Sequence, residues 1–291
     1  MITRFGKRFI TNLIAGNVSF SNRELALGIG STAATDLDTR LEFEFYRMPV
    51  TFGSIDIQPN GLGGFNYAVV YKGTIPQDVA GDIKEMALYS GSKTSQNLFD
   101  SKFIADFENN LLWKDSSNLN PVLSTTPAAK IGSGMIKVDA TTSAKEYSAS
   151  VNYLDISGYS VNDSIALAYY KNDNLLSTIK VRFYSSNTNY YEATVVSTPA
   201  AGTGHRITSI PFSTLLAGQT GTPDATSISK ISIIVTSSSS TTTVYFDGLR
   251  INDEDTFDPT YGVIGRSVLA TSLVKTAGRQ VDIEYRLGLT F

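Results

Sequence analysis

Apolar and polar side chains alternate with a period of two in many short segments of this chain, and that period admits half-buried strands and little else. In Leu41-Glu42-Phe43-Glu44-Phe45-Tyr46-Arg47, the residues Leu41, Phe43 and Phe45 fall on one face, and Glu42, Glu44 and Tyr46 on the other. Val281-Asp282-Ile283-Glu284-Tyr285-Arg286-Leu287 repeats the pattern near the C-terminus. Laid side by side, Leu41 to Phe52 and Val281 to Phe291 are visibly alike, as two strands of one sheet or two chance uses of one strand pattern would be. Phe65 to Lys72 and Ile83 to Tyr89 add two strands, separated by the turn-rich Gly73 to Gly81.

Between Leu98 and Asn252 the composition moves toward Ser, Thr and Asn, and strands follow at short intervals. They are Gly134 to Val138, Tyr147 to Leu154, Ser164 to Tyr170, Ser177 to Tyr184, Tyr190 to Val196, Arg206 to Phe212, Ser229 to Thr236 and Thr243 to Ile251. Short strands with turns between them, and almost no helical periodicity, indicate a β-sandwich or jelly roll. Polar stretches bound this region at 91–97 and 252–260, as suits a domain inserted into another. The expected organisation is all-β: a split β domain of residues 1–95 and 256–291, with an inserted β-sandwich or jelly-roll domain of residues 98–252. Three consecutive pieces with a small C-terminal tail are the alternative.

Composition removes much chemistry. The chain has 291 residues, no Cys and one His, so thiol nucleophiles, disulfides, multi-His zinc sites and any triad not built on His205 are excluded. With 24 Lys plus Arg against 27 Asp plus Glu, it has no general basic field for nucleic acid. No apolar run approaches the roughly 20 residues of a membrane-spanning helix. Arg4, Lys7 and Arg8 precede Phe9, Ile10, Leu13, Ile14 and Ala15, but Thr11 and Asn12 interrupt the run. Met1 to Gly16 therefore reads as an arm that docks on the fold or on a neighbouring subunit rather than as a signal peptide.

The motif search yields little catalysis. Gly28-Ile29-Gly30-Ser31-Thr32-Ala33 satisfies G-x-G-x-x-A, but dinucleotide binding needs a strand before it and a helix after it, whereas a strand follows here. A glycine turn is the better reading. Paired carboxylates suffice for glycoside hydrolysis, yet Asp106 with Glu108, and Asp253, Glu254 and Asp255, look like solvated turns. The tyrosines Tyr184, Tyr190 and Tyr191 are candidate glycan contacts, because aromatic rings on one sheet face stack on the apolar C–H surface of sugars. Alternation assigns half of such residues to the core.

Two groups of segments carry a resemblance. Glu24 to Asp36, then Asp38-Thr39-Arg40-Leu41-Glu42 and Tyr46-Arg47-Met48-Pro49-Val50, resemble the N-terminal domain of tailed-bacteriophage tail-fibre and related virion proteins, with their glycine turn, T-x-L-x-x-E and R-x-x-V. Ile83 to Tyr89 is similar to the I-x-E-x-G-L-[FY] strand of the same proteins, with Ala87 in place of the usual Gly. Phe107-Glu108, Trp113, Leu154 to Ser157, Asp163 to Ile165, Val181 to Ser186, Asn189 to Tyr191 and Val244 to Arg250 are similar to a carbohydrate-binding-module-type jelly roll. The usual glycine-tryptophan is here Gly204-His205.

These resemblances imply a non-enzymatic component of a phage particle, of tail-fibre, baseplate or capsid-decoration type, located in the virion, docked through the split domain and displaying the jelly roll for subunit or host-glycan contact. They imply contact with other phage virion proteins, with copies of itself and with host surface glycan. A secreted glycan-binding module or polysaccharide-hydrolase accessory is the alternative, and it needs an export signal. The jelly-roll resemblance also implies one structural calcium, held by Glu108 and Asp247, whereas the residues alone allow Asp247 to cap a turn with Gly248 and Glu108 to face solvent.

Overall fold

The computed structural model describes residues 1–59, 64–91, 102–197, 202–253 and 261–289. The chain is all-β apart from two helices among these residues, and it divides into two compact units, Met1–Leu98 with Asp255–Phe291, and Phe99–Glu254. Most of the polar stretches at 91–97 and 252–260 lie outside the described residues, as do Glu254, Asp255 and Phe291.

In the first unit, β1 (Glu24–Gly28), β2 (Glu44–Pro49), β5 (Gly81–Tyr89) and β18 (Val263–Lys275) form an antiparallel sheet in the order β18-β5-β1-β2. β3 (Thr51–Pro59), β4 (Phe65–Ile75) and β19 (Val281–Leu289) form another in the order β19-β4-β3. The two similar segments are therefore not two neighbouring strands: most of the first is β2, which pairs with β1, and only Thr51 and Phe52 enter β3 of the other sheet, whereas β19 pairs with β4. Their shared alternation reflects a shared half-buried environment, which pattern alone cannot convert into pairing.

Both faces of β5 are covered. Met86 and Leu88 pair with Leu27 and Leu25 and join a core with Tyr71, Ile75, Ile283 and Tyr285. Ala87 and Tyr89 face a smaller cluster with Ala26, Leu41, Tyr261 and Val263. The N-terminal arm is a helix, α1 (Arg4–Ile14), capped by Thr3, whose hydroxyl accepts from the Gly6 amide at 2.9 Å. It packs on β18: the Thr3 amide donates to Ile264 at 3.0 Å, and the terminal amine donates to the Arg266 carbonyl at 2.8 Å. Phe9 is buried edge-on against Phe20.

The second unit is a β-sandwich of jelly-roll type. One sheet has the order β15-β13-β12-β16-β10-β7, built from β7 (Trp113–Asp115), β10 (Lys145–Leu154), β12 (Leu176–Tyr184), β13 (Tyr190–Val196), β15 (Gln219–Thr220) and β16 (Ile228–Ser237). The other has the order β14-β11-β17-β9-β8, with β6 also on β17. Its strands are β6 (Lys102–Ala105), β8 (Val122–Ser124), β9 (Met135–Ala140), β11 (Ser164–Lys171), β14 (Gly204–Pro211) and β17 (Thr242–Asn252). All pairings are antiparallel, and alternate residues such as Ile136, Val138, Ile165, Leu167, Val181, Phe183, Ile231, Ile233, Val244 and Phe246 fill one core between the sheets. Each fully buried side chain of this kind contributes about 1.5–3 kcal/mol. A short helix without an amphipathic repeat, α2 (Phe212–Ala217), follows β14 and buries Phe212 and Leu215.

Candidate functional site

The outer face of the sheet containing β12 is a platform of charges and aromatics. Alternation sends Ile179, Val181 and Phe183 inward and leaves Lys180, Arg182 and Tyr184 outside. Register aligns them with neighbours: Glu146, Ile234, Lys180 and Thr194 form one row, Ser148, Ser232, Arg182 and Glu192 the next, and Lys230, Tyr184 and Tyr190 a third. Arg182 sits at the centre. Its Nε donates to Glu192, and its Nη1 donates to Glu146 at 3.3 Å and to the Tyr184 hydroxyl at 3.1 Å. The Tyr184 hydroxyl donates to Glu146 at 2.7 Å, and Lys180 Nζ donates to Glu192 at 2.8 Å.

Cations also meet rings here. The Arg182 guanidinium lies 4.6 Å from the Tyr190 ring centre, and Lys230 Nζ lies 3.8 Å from that of Tyr184. The two tyrosine rings are 5.0 Å apart. Burial pushes the Glu192 carboxyl up, but hydrogen bonds from Lys180 and Arg182 outweigh it and hold the group below its ordinary range. Held in that range, the Glu192 carboxylate stays ionised at neutral pH as the partner of both cations. Beneath the platform the Ser232 hydroxyl is buried and has no hydrogen-bond partner among the described residues.

The three sequence-predicted tyrosines separate. Tyr190 stays half-buried on the outer face. Tyr184 shares that face but is only 5% exposed, so its hydroxyl positions Glu146 and Arg182 rather than presenting a ring to a ligand. Tyr191 is no glycan contact. Adjacent residues of a strand point to opposite faces, so it enters the core, with its hydroxyl donating to the Pro223 carbonyl at 3.1 Å. Sequence reasoning missed Glu146, Lys180, Arg182, Glu192 and Lys230, although alternation alone places Lys180, Arg182 and Tyr184 on one face of β12.

Glu108 and Asp247 converge on a single loop, residues 130–134. Asp247 is fully buried and accepts from the Lys130 amide at 2.8 Å and the Ile131 amide at 3.2 Å. Glu108 accepts from the Ser133 and Gly134 amides at 2.9 and 3.0 Å and from the Ser133 hydroxyl at 2.8 Å. Burial pushes the Asp247 carboxyl up to about 7, opposed by the two amides and reinforced by the negative charge of Glu108. Gly132 permits this approach: its φ is +66°, and a Cβ there would stand 2.1 Å from Glu108 Oε1. Two carboxylates against one loop, one of them buried, make a donor set of the type that calcium takes, with lone pairs to spare. Among the described residues no group of three His, Cys, Asp or Glu is placed to share a metal.

The remaining candidates have structural roles. The Asp106 carboxylate accepts from the Glu108 amide at 3.1 Å, an ordinary turn contact. His205 packs edge-on against Tyr170 at 5.0 Å, and its Nε2 donates to the Ala128 carbonyl at 3.0 Å. The glycine turn at 28–33 encloses the chain's own carboxylates: Glu85 accepts from the Gly30 amide at 3.0 Å, and Glu42 from the Ser31 and Thr32 amides at 2.9 and 3.0 Å. A Cβ at Gly30 would stand 2.5 Å from Glu85 Oε1, so the glycine serves this contact and leaves no room for a pyrophosphate.

No family model matches the chain, and no curated protein matches it. Among solved structures, it is similar to the family 11 carbohydrate-binding module of the cellulosomal cellulase Lic26A-Cel5E of Clostridium thermocellum, at 16% identity over 53% of this chain and 94% of that one, with a TM-score of 0.36. It is also similar to a xylan-binding domain of family 22, at 13% identity over 54% and 97%, with a TM-score of 0.35. The enzymatically active domain of tailspike protein 4 of bacteriophage CBA120 aligns at 11% identity over 50% of this chain and 20% of that one, with a TM-score of 0.31.

Proposed function

We propose that this chain is a non-enzymatic attachment protein whose second unit contacts glycan through the outer face of its β12-containing sheet. The observation that carries this reading is the cluster of Glu146, Lys180, Arg182, Glu192 and Tyr190, in which charged groups are fixed by one another beside a half-exposed ring. A sugar offers hydroxyls that donate and accept, together with apolar C–H faces. Carboxylates, a guanidinium, an ammonium and a tyrosine match those features.

The first unit supplies attachment, and the similarity of its motifs to tailed-phage virion proteins supports a particle as the object to which it attaches. The same reading assigns one structural calcium to Glu108 and Asp247. Carbonyls of the 130–134 loop and water would complete the six to eight oxygens the ion takes. An ion held there by Glu108 and Asp247 would supply the positive charge that the buried Asp247 lacks from its two amide donors.

The glycan contact is tested by array binding of the full chain beside Tyr190→Ala and Lys180→Ala, with melting curves of each. The expected result is selective binding by the parent that falls about tenfold or more in each variant while the melting temperature stays unchanged. A parent that binds no glycan, or variants that bind as well as the parent, would overturn it.

A further inference from the structure

We propose that the outer half of the β19-β4-β3 sheet is a self-association face, which packs against the same face of a second copy of this chain. The proposal deepens the attachment half of the function above, rests on that half only, and is independent of the glycan half. Cross-strand register places Ile55, Val69 and Leu287 side by side, then Ile57 beside Tyr67, and Pro59 beside Phe65, all on the face that carries Tyr71 and Tyr285. Toward the unit's interior this face is core, with Tyr71 4% and Tyr285 2% exposed. Further out its side chains are exposed among the described residues: Phe52 is 52% exposed, Ile55 60%, Ile57 52%, Phe65 56% and Tyr67 37%.

The opposite face carries paired charges around Val70, which is 3% exposed. Lys72 pairs with Glu284 at 3.2 Å and Arg286 with Asp56 at 2.7 Å. Alternation is therefore maintained along strands whose apolar side stays exposed among the described residues, as in an element completed by association.

The occupant is chosen by charge and area. The residues on this face, from Phe52 through Pro59 and from Phe65 through Val69, include no charged side chain. An acidic or basic partner finds no counterpart there, whereas a second copy meets an identical, uncharged apolar surface. The exposed parts of those five side chains amount to about 500 Å² per copy, so two faces bury about 1,000 Å², the lower bound for a specific interface. Face-to-face packing of two such sheets about 10 Å apart is the usual β-sandwich arrangement, and a two-fold axis makes it self-complementary.

The chain contains no cysteine, which makes the test direct. Analytical ultracentrifugation of the full chain should show a reversible dimer. Ile57→Lys should weaken it at least about tenfold, with a melting temperature equal to the parent's at concentrations where both are monomeric, because a charge is buried only in the dimer. Gln58→Lys, on the opposite face, should leave it intact. Single-cysteine variants add an independent readout: a short bis-maleimide should join two copies of Ile57→Cys and not two copies of Gln58→Cys. A parent that is monomeric at every concentration, an Ile57→Lys variant that dimerises like the parent, or equal cross-linking at both positions would each overturn the proposal. A monomeric chain that is still found in particles would overturn self-association and leave the attachment reading standing.

Discussion

Glu85 is fully buried and ionisable, and both of its carboxylate oxygens are answered from within the first unit. Oε1 accepts from the Gly30 and Phe43 amides at 3.0 and 2.9 Å. Oε2 accepts from the Glu42 amide at 3.0 Å and from Arg266 Nε and Nη2 at 3.0 and 2.7 Å. Arg266 in turn donates to Asp38 at 2.9 Å, so one carboxylate joins the glycine turn, the chain leading to β2, β5 and β18. Glu44 and Arg47 act similarly, paired at 2.7 Å with the guanidinium 4.0 Å from the Tyr89 ring centre. The motif residues that suggested virion proteins are thus internal struts. Glu85→Gln would set an amide NH₂ among donors and leave Arg266 without its buried partner, a loss of about 3–5 kcal/mol. Denaturant titration should show a lower midpoint with an unchanged slope; an unaltered midpoint would show that the hub does not hold the unit together.

At the scale of elements, strands were more legible than helices. All eight strands expected between residues 134 and 251 are present, because each has an inner and an outer face and the period of two records the difference. β5 carries that period weakly, being covered on both sides. The sequence presents α1 as a docking arm without a helix, since only its contact with β18 shows which of its side chains are buried. The 130–134 loop is the element on which the calcium proposal turns. Millimolar calcium should raise the melting temperature of the full chain above its value in chelator, with a gain in stability of about 2.7 kcal/mol at a hundred times the dissociation constant. Asp247→Ala lowers stability without calcium by about 1–3 kcal/mol, because two buried amides lose their acceptor. The decisive comparison is the calcium-dependent shift, which that variant should abolish. Coincident curves for the parent in calcium and chelator would remove the site.

At the scale of the whole molecule, the proposed attachment role implies that purified particles contain the chain in many stoichiometric copies. Mass spectrometry of particles that detects none would end that reading. Composition and alternation by themselves determined that the chain is all-β and that its middle region is a sandwich. They also determined that thiol, disulfide and multi-histidine chemistry are absent, since these properties depend only on residue types and on their spacing along the chain. Which tyrosine faces outward, that Arg182 joins Glu146 to Glu192, that Glu108 and Asp247 meet on one loop although separated by most of the second unit, and that β19 pairs with β4 rather than β2 were decided by tertiary structure. A strand pattern fixes which residues share a face but not which strand lies beside it. Pairing and register are settled only when side chains from distant parts of the chain fill the same core.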